Sequence, residues 1–418
     1  MSLPPRARLA LGAGRAAAAA SRLLRRGRGQ VVGGRVMLKV DPALITRLAA
    51  GKQLTLVSAT NGKSTTTRMI AGALRTKGRV AHNLTGANMG PGVVTALAAD
   101  RAAGFGAIEV DEAHLPAMAA QTGATQLVLM NLTRDQLDRG SEVKMLSRRW
   151  HAMAEQLSDK TIILANADDP LVVWAARPAP SVVWVGCGQW WTDDAALCPE
   201  CGATLERAAD GTGIAPWRCP ACGLARPQTA WSITPDATGI VTPDGTTLTP
   251  HLKLPGRVNV GNAAIAVAAA AGRGIDPAVA LAACEQVEDV DGRYINTTVD
   301  GHPVRLLLGK NPASWAEMLR IVGTSGAALV TVLNARGQDG RDPSWIWDVP
   351  FEQLAPMPVW VSGERRFDLA VRLDTAGLEL RGVTEDPLAG LAGLPAGEAV
   401  DIVANYTAFQ ELRARVVK

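Results

Sequence analysis

A chain of 418 residues is long enough for two or three domains, each with its own core. Its composition, 47% hydrophobic and 20% charged, fits a folded α/β protein and excludes a disordered or fibrous one. A net charge of +4 is too small to point to nucleic acid by itself.

The charge is unevenly spread. Residues 1–36 carry Arg6, Arg8, Arg15, Arg22, Arg25, Arg26, Arg28 and Arg35 and no acidic residue. The alanine-rich run Leu9–Leu24 among them predicts a helix. Two readings stand side by side: a basic helix against an anionic bilayer, or a solvated, partly frayed helix. An arginine-rich, acid-free start also resembles an organelle transit peptide. The apolar stretches are too short and too interrupted for a transmembrane span, and no secretory signal is clear. The expected location is cytoplasmic, with peripheral contact at the inner face of the plasma membrane as an option.

Next, Leu54–Ala59 reads as a strand, followed by a glycine-containing loop and a helix over Ser64–Arg75. Further apolar runs of strand length fall at Ala107–Val110, Gln126–Met130, Thr161–Leu164 and Val182–Val185, with helical sequence between them, as at Glu142–Leu157. Such alternation predicts an α/β fold with a parallel sheet covered on both faces. A Cys/Pro/Gly-rich insert at about 190–229 breaks the alternation. Short strands with turns at Asp236 and Pro243–Gly245 follow, then a helix over Val260–Ala271. A second α/β section shows apolar runs at Val304–Leu308, Ala328–Leu333, Val359–Val361 and Val400–Val403. The predicted division is a basic segment over 1–40, a central domain over 41–295 carrying the insert, and a C-terminal Rossmann-like domain over 296–418.

The loop after the first strand carries Thr60, Asn61, Gly62, Lys63, Ser64 and Thr65. Backbone N–H groups of such a loop and of the helix that follows bind phosphate. Lys63 would reach the outer phosphates, and the hydroxyl of Ser64 or Thr65 would take Mg²⁺. Val57 stands where the common phosphate loop has its first glycine. At the end of the next strand, Glu109 and Glu112 place carboxylates where an open α/β sheet binds ligands, suited to hold Mg²⁺. Asn131 and Asp135 follow the strand after that.

Cys198, Cys201, Cys219 and Cys222 form two CxxC knuckles separated by seventeen residues, each followed by glycine. That spacing predicts a four-thiolate Zn²⁺ ribbon with no open position, hence a structural site. Cys187 and Cys284 read as ordinary buried thiols.

The run Thr60–Thr67 (TNGKSTTT) resembles the ATP loop of the Mur ligase and folylpolyglutamate synthase superfamily. Further matches follow in family order: Glu109 or Glu112, the segment Asn131–Asp138 with Gln136 in place of the usual histidine, Asn166–Pro170 (NADDP), Pro255–Ala263 (PGRVNVGNA) and Asp291–Arg293 (DGR). The resemblance implies that Asn262 faces the adenine and Arg293 the ATP phosphates. The later segments Lys310–Pro312, Leu333–Ala335, Asp342–Asp348 and Ala404–Thr407, together with the cysteine insert, resemble the MurT branch of that superfamily. That branch works with a GatD-like glutaminase subunit as a heterodimer. The resemblance implies ATP- and Mg²⁺-dependent amidation of the α-carboxylate of D-glutamate in lipid II, by way of an acyl phosphate. It makes Asp342 the candidate functional acid, with Asp348 as its competitor, and a cap on the Ser344–Trp347 turn as Asp342's simpler role. Nothing in the chain reads as an ammonia source, because Cys187 and Cys284 lack a nearby histidine–acid signature. The rival readings are a stand-alone amino-acid ligase and a zinc-ribbon nucleic-acid NTPase. The second is disfavoured by the few basic residues near the ribbon.

Overall fold

The computed structural model describes residues 3–24, 29–83, 86–134, 143–208, 215–288 and 294–417. They form two compact units, the first over Met1–Leu132, Val143–Lys253 and Arg257–Glu288, the second over Asp289–Lys418 together with Leu254–Gly256 and the segment Thr133–Glu142 that contains Arg134.

In the first unit, helices α1 (Pro5–Leu23), α2 (Gln30–Val40) and α3 (Leu44–Ala49) precede the alternating part. There β1 (Gln53–Ser58), α4 (Lys63–Arg75), β2 (Val80–His82), α5 (Gly90–Ala99), β3 (Phe105–Glu109), α6 (Leu115–Thr122) and β4 (Gln126–Leu129) follow in order. They continue as α7 (Val143–Ala154), β5 (Ile162–Asn166), α8 (Pro170–Ala176) and β6 (Val182–Gly186). The insert adds the small hairpin β7 (Glu206–Arg207) and β8 (Trp217–Arg218). Then come β9 (Trp231–Ile233), β10 (Ile240–Val241), β11 (Thr247–Leu248), α9 (Arg257–Ala271) and α10 (Pro277–Cys284).

The main sheet runs β11-β10-β9-β6-β5-β4-β1-β3-β2, parallel from β2 to β9 and antiparallel across β9, β10 and β11. Its central strands are buried on both faces, so they read as continuous apolar runs rather than alternating ones. Helix α9 is apolar all round, and every residue from Gly261 to Ala270 is buried. Such a helix is stable only when covered on all sides.

The described residues of the basic leader lie in helices α1 and α2 and their ends. Helices α1 and α2 form an antiparallel hairpin in which Arg6 Nε donates to the carbonyl of Val40 at 2.7 Å. Midway, Gly14 and Gly33 meet backbone to backbone. A Cβ added to either would lie 2.8 Å or 2.7 Å from the other's carbonyl oxygen. Gly34 is pressed in the same way against the backbone of Pro91 on α5. Among the described residues, no helix is long and apolar enough to cross a membrane.

The second unit holds β12 (Tyr294–Val299), β13 (His302–Leu308), α11 (Pro312–Gly323), β14 (Ala328–Val332) and β15 (Pro358–Ser362). After these come α12 (Arg366–Thr375), β16 (Glu379–Val383), β17 (Val400–Ala404) and α13 (Tyr406–Val416). The sheet order is β12-β13-β17-β14-β15-β16, with only the β12–β13 pair antiparallel. Asn311 caps α11 by accepting from the Ser314 N–H at 3.0 Å, and Ser314 Oγ accepts from the Asn311 N–H at 3.0 Å. Trp315, Trp345 and Phe351 are buried together in its core. Strands β2, β12 and β16 were not anticipated from the sequence. Each is a strand of a sheet edge, short or half-exposed, so its side chains lack a continuous apolar run.

Candidate functional site

Strand β1 delivers the chain to the C-terminal edge of the sheet, where residues 59–62 turn it into α4. Gly62 makes the turn possible. Its φ of +86° lies in the left-handed region, and a Cβ there would meet Asn262 Oδ1 at 2.8 Å. Asn131, just past β4, holds the loop from the side. Its Oδ1 accepts from the Asn61 N–H at 2.9 Å, its Nδ2 donates to the Asn61 carbonyl at 2.9 Å, and its carbonyl accepts from the Thr60 N–H at 3.0 Å. Asn131 therefore acts on the loop's shape rather than as a free polar group aimed outward.

Thr60, Lys63, Ser64 and Thr65 are all buried. Lys63 Nζ donates to the carbonyl of Ala59 and lies 3.0 Å from Glu112 Oε2. Ser64 Oγ donates to Glu109 Oε2 at 2.8 Å. Glu109, the last residue of β3, is clamped by Asn83. The Asn83 side chain accepts from the Glu109 N–H at 2.8 Å and donates to its carbonyl at 2.7 Å. Asn88 reaches the other carboxylate oxygen at 3.4 Å, and the Trp150 indole donates to the Glu112 carbonyl at 2.9 Å. Loop and helix N–H groups, a lysine, a hydroxyl and two carboxylates thus converge. This set can cradle phosphate oxygens and hold a hard cation between hydroxyl and carboxylate.

Asn262 is buried, donates to Asn259 Oδ1 at 3.1 Å and packs against Gly62. Asp135 and Arg293 lie outside the described residues. Asn83, Asn88 and Trp150 were missed from the sequence. Their own segments carry no chemical pattern, and only the neighbouring strand ends bring them to Glu109 and Glu112.

The NADDP segment proves to be a junction. Asp169 caps α8 by accepting from the Leu171 N–H at 2.9 Å and the Val172 N–H at 3.3 Å, and it also accepts from the Leu132 N–H at 2.9 Å. Complete burial pushes its carboxyl up to about 6 despite these donors. Asp168 pairs with Arg226 of the insert at 2.7 Å and accepts from the Gly188 N–H at 2.7 Å, and its carboxyl is also raised by burial.

The four insert cysteines bring their sulfur atoms within 4.8 Å of one another. Cys198 and Cys222 are 3.6 Å apart, and Cys201 and Cys219 are 3.4 Å apart. Gly202 and Gly223 both have positive φ, and each N–H turns back to the carbonyl of the knuckle's first cysteine, at 2.9 and 3.1 Å. Backbone N–H donation from Cys222 pulls the Cys219 thiol down to about 6. A tetrahedral ion with metal–sulfur bonds of about 2.3 Å separates its ligands by roughly 3.8 Å, so the donor set fits one. The cluster is braced by the Trp217 indole, which donates to the Ala167 carbonyl at 3.1 Å. Cys187 and Cys284 are buried, and burial raises both thiols, Cys284 to about 12.

In the second unit, Asp342 is exposed. Its Oδ1 accepts from the Ser344 N–H at 2.8 Å, and that bond holds its carboxyl below the ordinary range. It does cap the turn, as its simpler role requires. Asp348 is paired with Arg134 at 3.1 Å. Trp345 is buried in the core, and Trp347 is half-exposed over the Arg372 guanidinium.

A phosphate loop with a strand-end glutamate on a parallel sheet is the arrangement that the resemblance to Mur ligases implies, and two family models of that kind match this chain. The Mur ligase middle domain matches residues 57–197, and the MurT ligase C-terminal domain matches residues 308–409. The chain is a homologue of MurT subunits. It is 28% identical to the lipid II isoglutaminyl synthase (glutamine-hydrolyzing) subunit MurT of Streptococcus pneumoniae, over 94% of this chain and 93% of that one. To the subunit of the same name from Staphylococcus aureus strain COL it is also 28% identical, over 86% and 85%. Among solved structures it is similar in fold to a pseudomurein peptide ligase type C from Methanothermus fervidus, with a TM-score of 0.68, 17% identity and coverage of 88% and 79%. It is likewise similar to MurF from Acinetobacter baumannii, with a TM-score of 0.66, 16% identity and coverage of 91% and 80%.

Proposed function

We propose that this chain is the ATP-consuming subunit of a lipid II amidating enzyme. ATP phosphorylates the α-carboxylate of D-glutamate in the stem peptide and leaves as ADP. Ammonia then attacks the acyl phosphate carbon, expels inorganic phosphate, loses a proton and leaves D-isoglutamine. The observation that carries this reading is that a phosphate cradle around Lys63, Ser64 and Glu109 coexists with similarity to MurT subunits across nearly the whole chain.

In this reading residues 41–295 bind ATP and 296–418 serve the amidation step. Ser64 and Glu109 would hold Mg²⁺, which would supply charge neutralisation to the phosphates, and the Lys63 ammonium would leave Glu112 for the outer phosphates. Catalysis is then mainly positioning and charge neutralisation. Asp342 is the acid of the second unit. Its exposure leaves it accessible to a partner rather than enclosed in an internal pocket, while its Oδ1 also caps the turn. Ammonia comes from a GatD-like glutaminase subunit, in keeping with the buried, protonated state of Cys187 and Cys284. The four insert cysteines would hold a zinc ion, which would tie the two knuckles together as a structural staple.

The test is mass spectrometry of a lipid II analogue incubated with ATP, Mg²⁺ and ammonium, with and without the glutaminase. The expected product is lighter by the difference between OH and NH₂. Gain of a whole residue when amino acids are supplied would replace this reading with a stand-alone ligase.

A further inference from the structure

The α1–α2 hairpin ends in a surface that the nucleotide site does not use. At that end Leu23 is 86% exposed and Leu24 64%, and Val31 and Val32 across the turn are each 43% exposed. Arg22 and Arg35, one on each helix, are exposed nearby, as is Arg15 further along α1. The rest of the hairpin is firmly held. Gly14, Gly33 and Gly34 dock backbone on backbone, Thr95 Oγ1 of α5 donates to the Gln30 carbonyl at 3.1 Å, and Ala7, Ala10 and Leu11 are buried. The aliphatic end is therefore displayed by a fixed support and is not a frayed terminus awaiting a core.

We infer that the end of this hairpin docks on the surface of an anionic phospholipid bilayer, inserting Leu23, Leu24, Val31 and Val32 among the headgroups while the arginines pair with lipid phosphates. Two observations select that occupant. Residues 1–40 hold nine Lys and Arg and no Asp or Glu, and of those described Arg15, Arg22 and Arg35 lie toward this end, so the hairpin itself brings only positive charge to it and its complement is a negative surface. The apolar side chains are four aliphatics at a convex helix end, with no aromatic anchor among them. Aliphatic tips flanked by arginine suit an interface where the stems bury and the guanidinium groups stay wet. Among the described residues no helix is long and apolar enough to cross a membrane, and the docking inferred is peripheral.

The test is co-sedimentation of the full chain with vesicles of phosphatidylcholine alone or with about one-third phosphatidylglycerol, both free of lipid II. The anionic vesicles are expected to bind at least about tenfold more tightly, with binding weakened as salt screens the arginines. Leu23→Glu with Leu24→Glu should lower binding at least about tenfold. Arg22→Ala and Arg35→Ala should each lower it about fivefold. All four positions are exposed, so melting temperature and ATP turnover should not move, and these controls exclude a folding defect. Wild-type protein remaining in the supernatant with both vesicles overturns the inference, as does equal binding by the Leu23/Leu24 variant. A variant that changes oligomeric state in ultracentrifugation, with vesicle binding untouched, makes the end an interface between copies instead. Because the vesicles contain no lipid II, failure here leaves the amidation reading standing, and failure of amidation leaves this one.

Discussion

Lys63 Nζ lies 3.0 Å from Glu112 Oε2, with side-chain exposures of only 9% and 12%. The lysine that would greet a triphosphate is thus already neutralised, and the pair must separate or be shared when phosphate enters. Lys63→Ala should cut ATP turnover by at least about a hundredfold, the usual scale for losing a preorganised charge donor. Phosphate release in the presence of substrate measures this, and persistence of turnover would remove the loop from the mechanism. Glu112→Ala leaves a buried ammonium unpaired and should cost about 3 kcal/mol of stability in denaturant unfolding.

Gly62→Ala should be harmful for a purely geometric reason. Its φ of +86° and the 2.8 Å approach of Asn262 Oδ1 leave no room for a methyl group. The expected cost is about 1–2 kcal/mol of stability, with a further loss of nucleotide affinity as the loop N–H groups turn aside. Calorimetric titration with ADP and a melting curve separate the two effects. Unchanged affinity would mean that the loop does not contact phosphate.

Asp169 makes stability depend on pH in an unusual direction. Its carboxyl sits at about 6 in the folded protein against an ordinary value of 3.8. Between those values the folded state binds the proton that the unfolded chain releases. Stability should therefore fall as pH rises through this window, by an amount on the order of 3 kcal/mol, and level off above it. Asp169→Asn keeps an acceptor for the capping N–H groups and has no charge to bury. Its stability, measured by denaturant unfolding between pH 4 and 7, should lack this decline. A parallel decline in the variant would assign the effect to other groups.

Zinc should be bound stoichiometrically by the purified chain and lost in Cys201→Ser. Chelation should lower the melting temperature, because the folded knuckles bind metal and the unfolded chain binds it weakly. Elemental analysis and calorimetry report the two quantities. A protein that melts identically with and without metal would make the cluster something other than a staple.

Asp342→Asn should leave stability within about 0.5 kcal/mol, since the residue is exposed and makes one turn-capping bond. ATP binding should persist while glutamine-dependent amide formation stops. Full amidation by this variant, with loss in Asp348→Asn, would move the role to the residue that pairs with Arg134.

What could be read in the sequence follows physical rules. The buried parallel strands announce themselves because both faces are covered, as with the runs that became β1 and β4. The phosphate loop and the cysteine knuckles were legible because chemistry ties their residues to fixed local spacings. Strands β12 and β16 were not, since a half-exposed edge strand alternates apolar side chains with Asn, Thr, Glu and Arg. Nor were Asn83 and Trp150, whose partners lie 26 and 38 positions away and are supplied by the fold alone. Asp168 and Asp169 were visible as a motif, but their separate duties, one toward Arg226 and one toward Leu132, depend on where three other segments come to rest. Asn131 was legible as part of a motif while its task, bracing the Asn61 peptide, was not.

The hairpin at the start of the chain carries a consequence for divergence. Most helix pairs tolerate drift, because one apolar side chain can replace another with some repacking. Where Gly14 meets Gly33, and Gly34 meets Pro91, peptide groups are in contact, and exchanging a neighbouring side chain such as Met37 does not relieve them. The outward positions of the hairpin can change without disturbing the crossing of the helices, whereas these three accept a single occupant as long as the helices cross in this way. A relative that has lost all other likeness in its leader, yet keeps glycine at 14, 33 and 34, has kept the crossing. One that fills any of them with a larger residue must have built a different entrance to the same sheet.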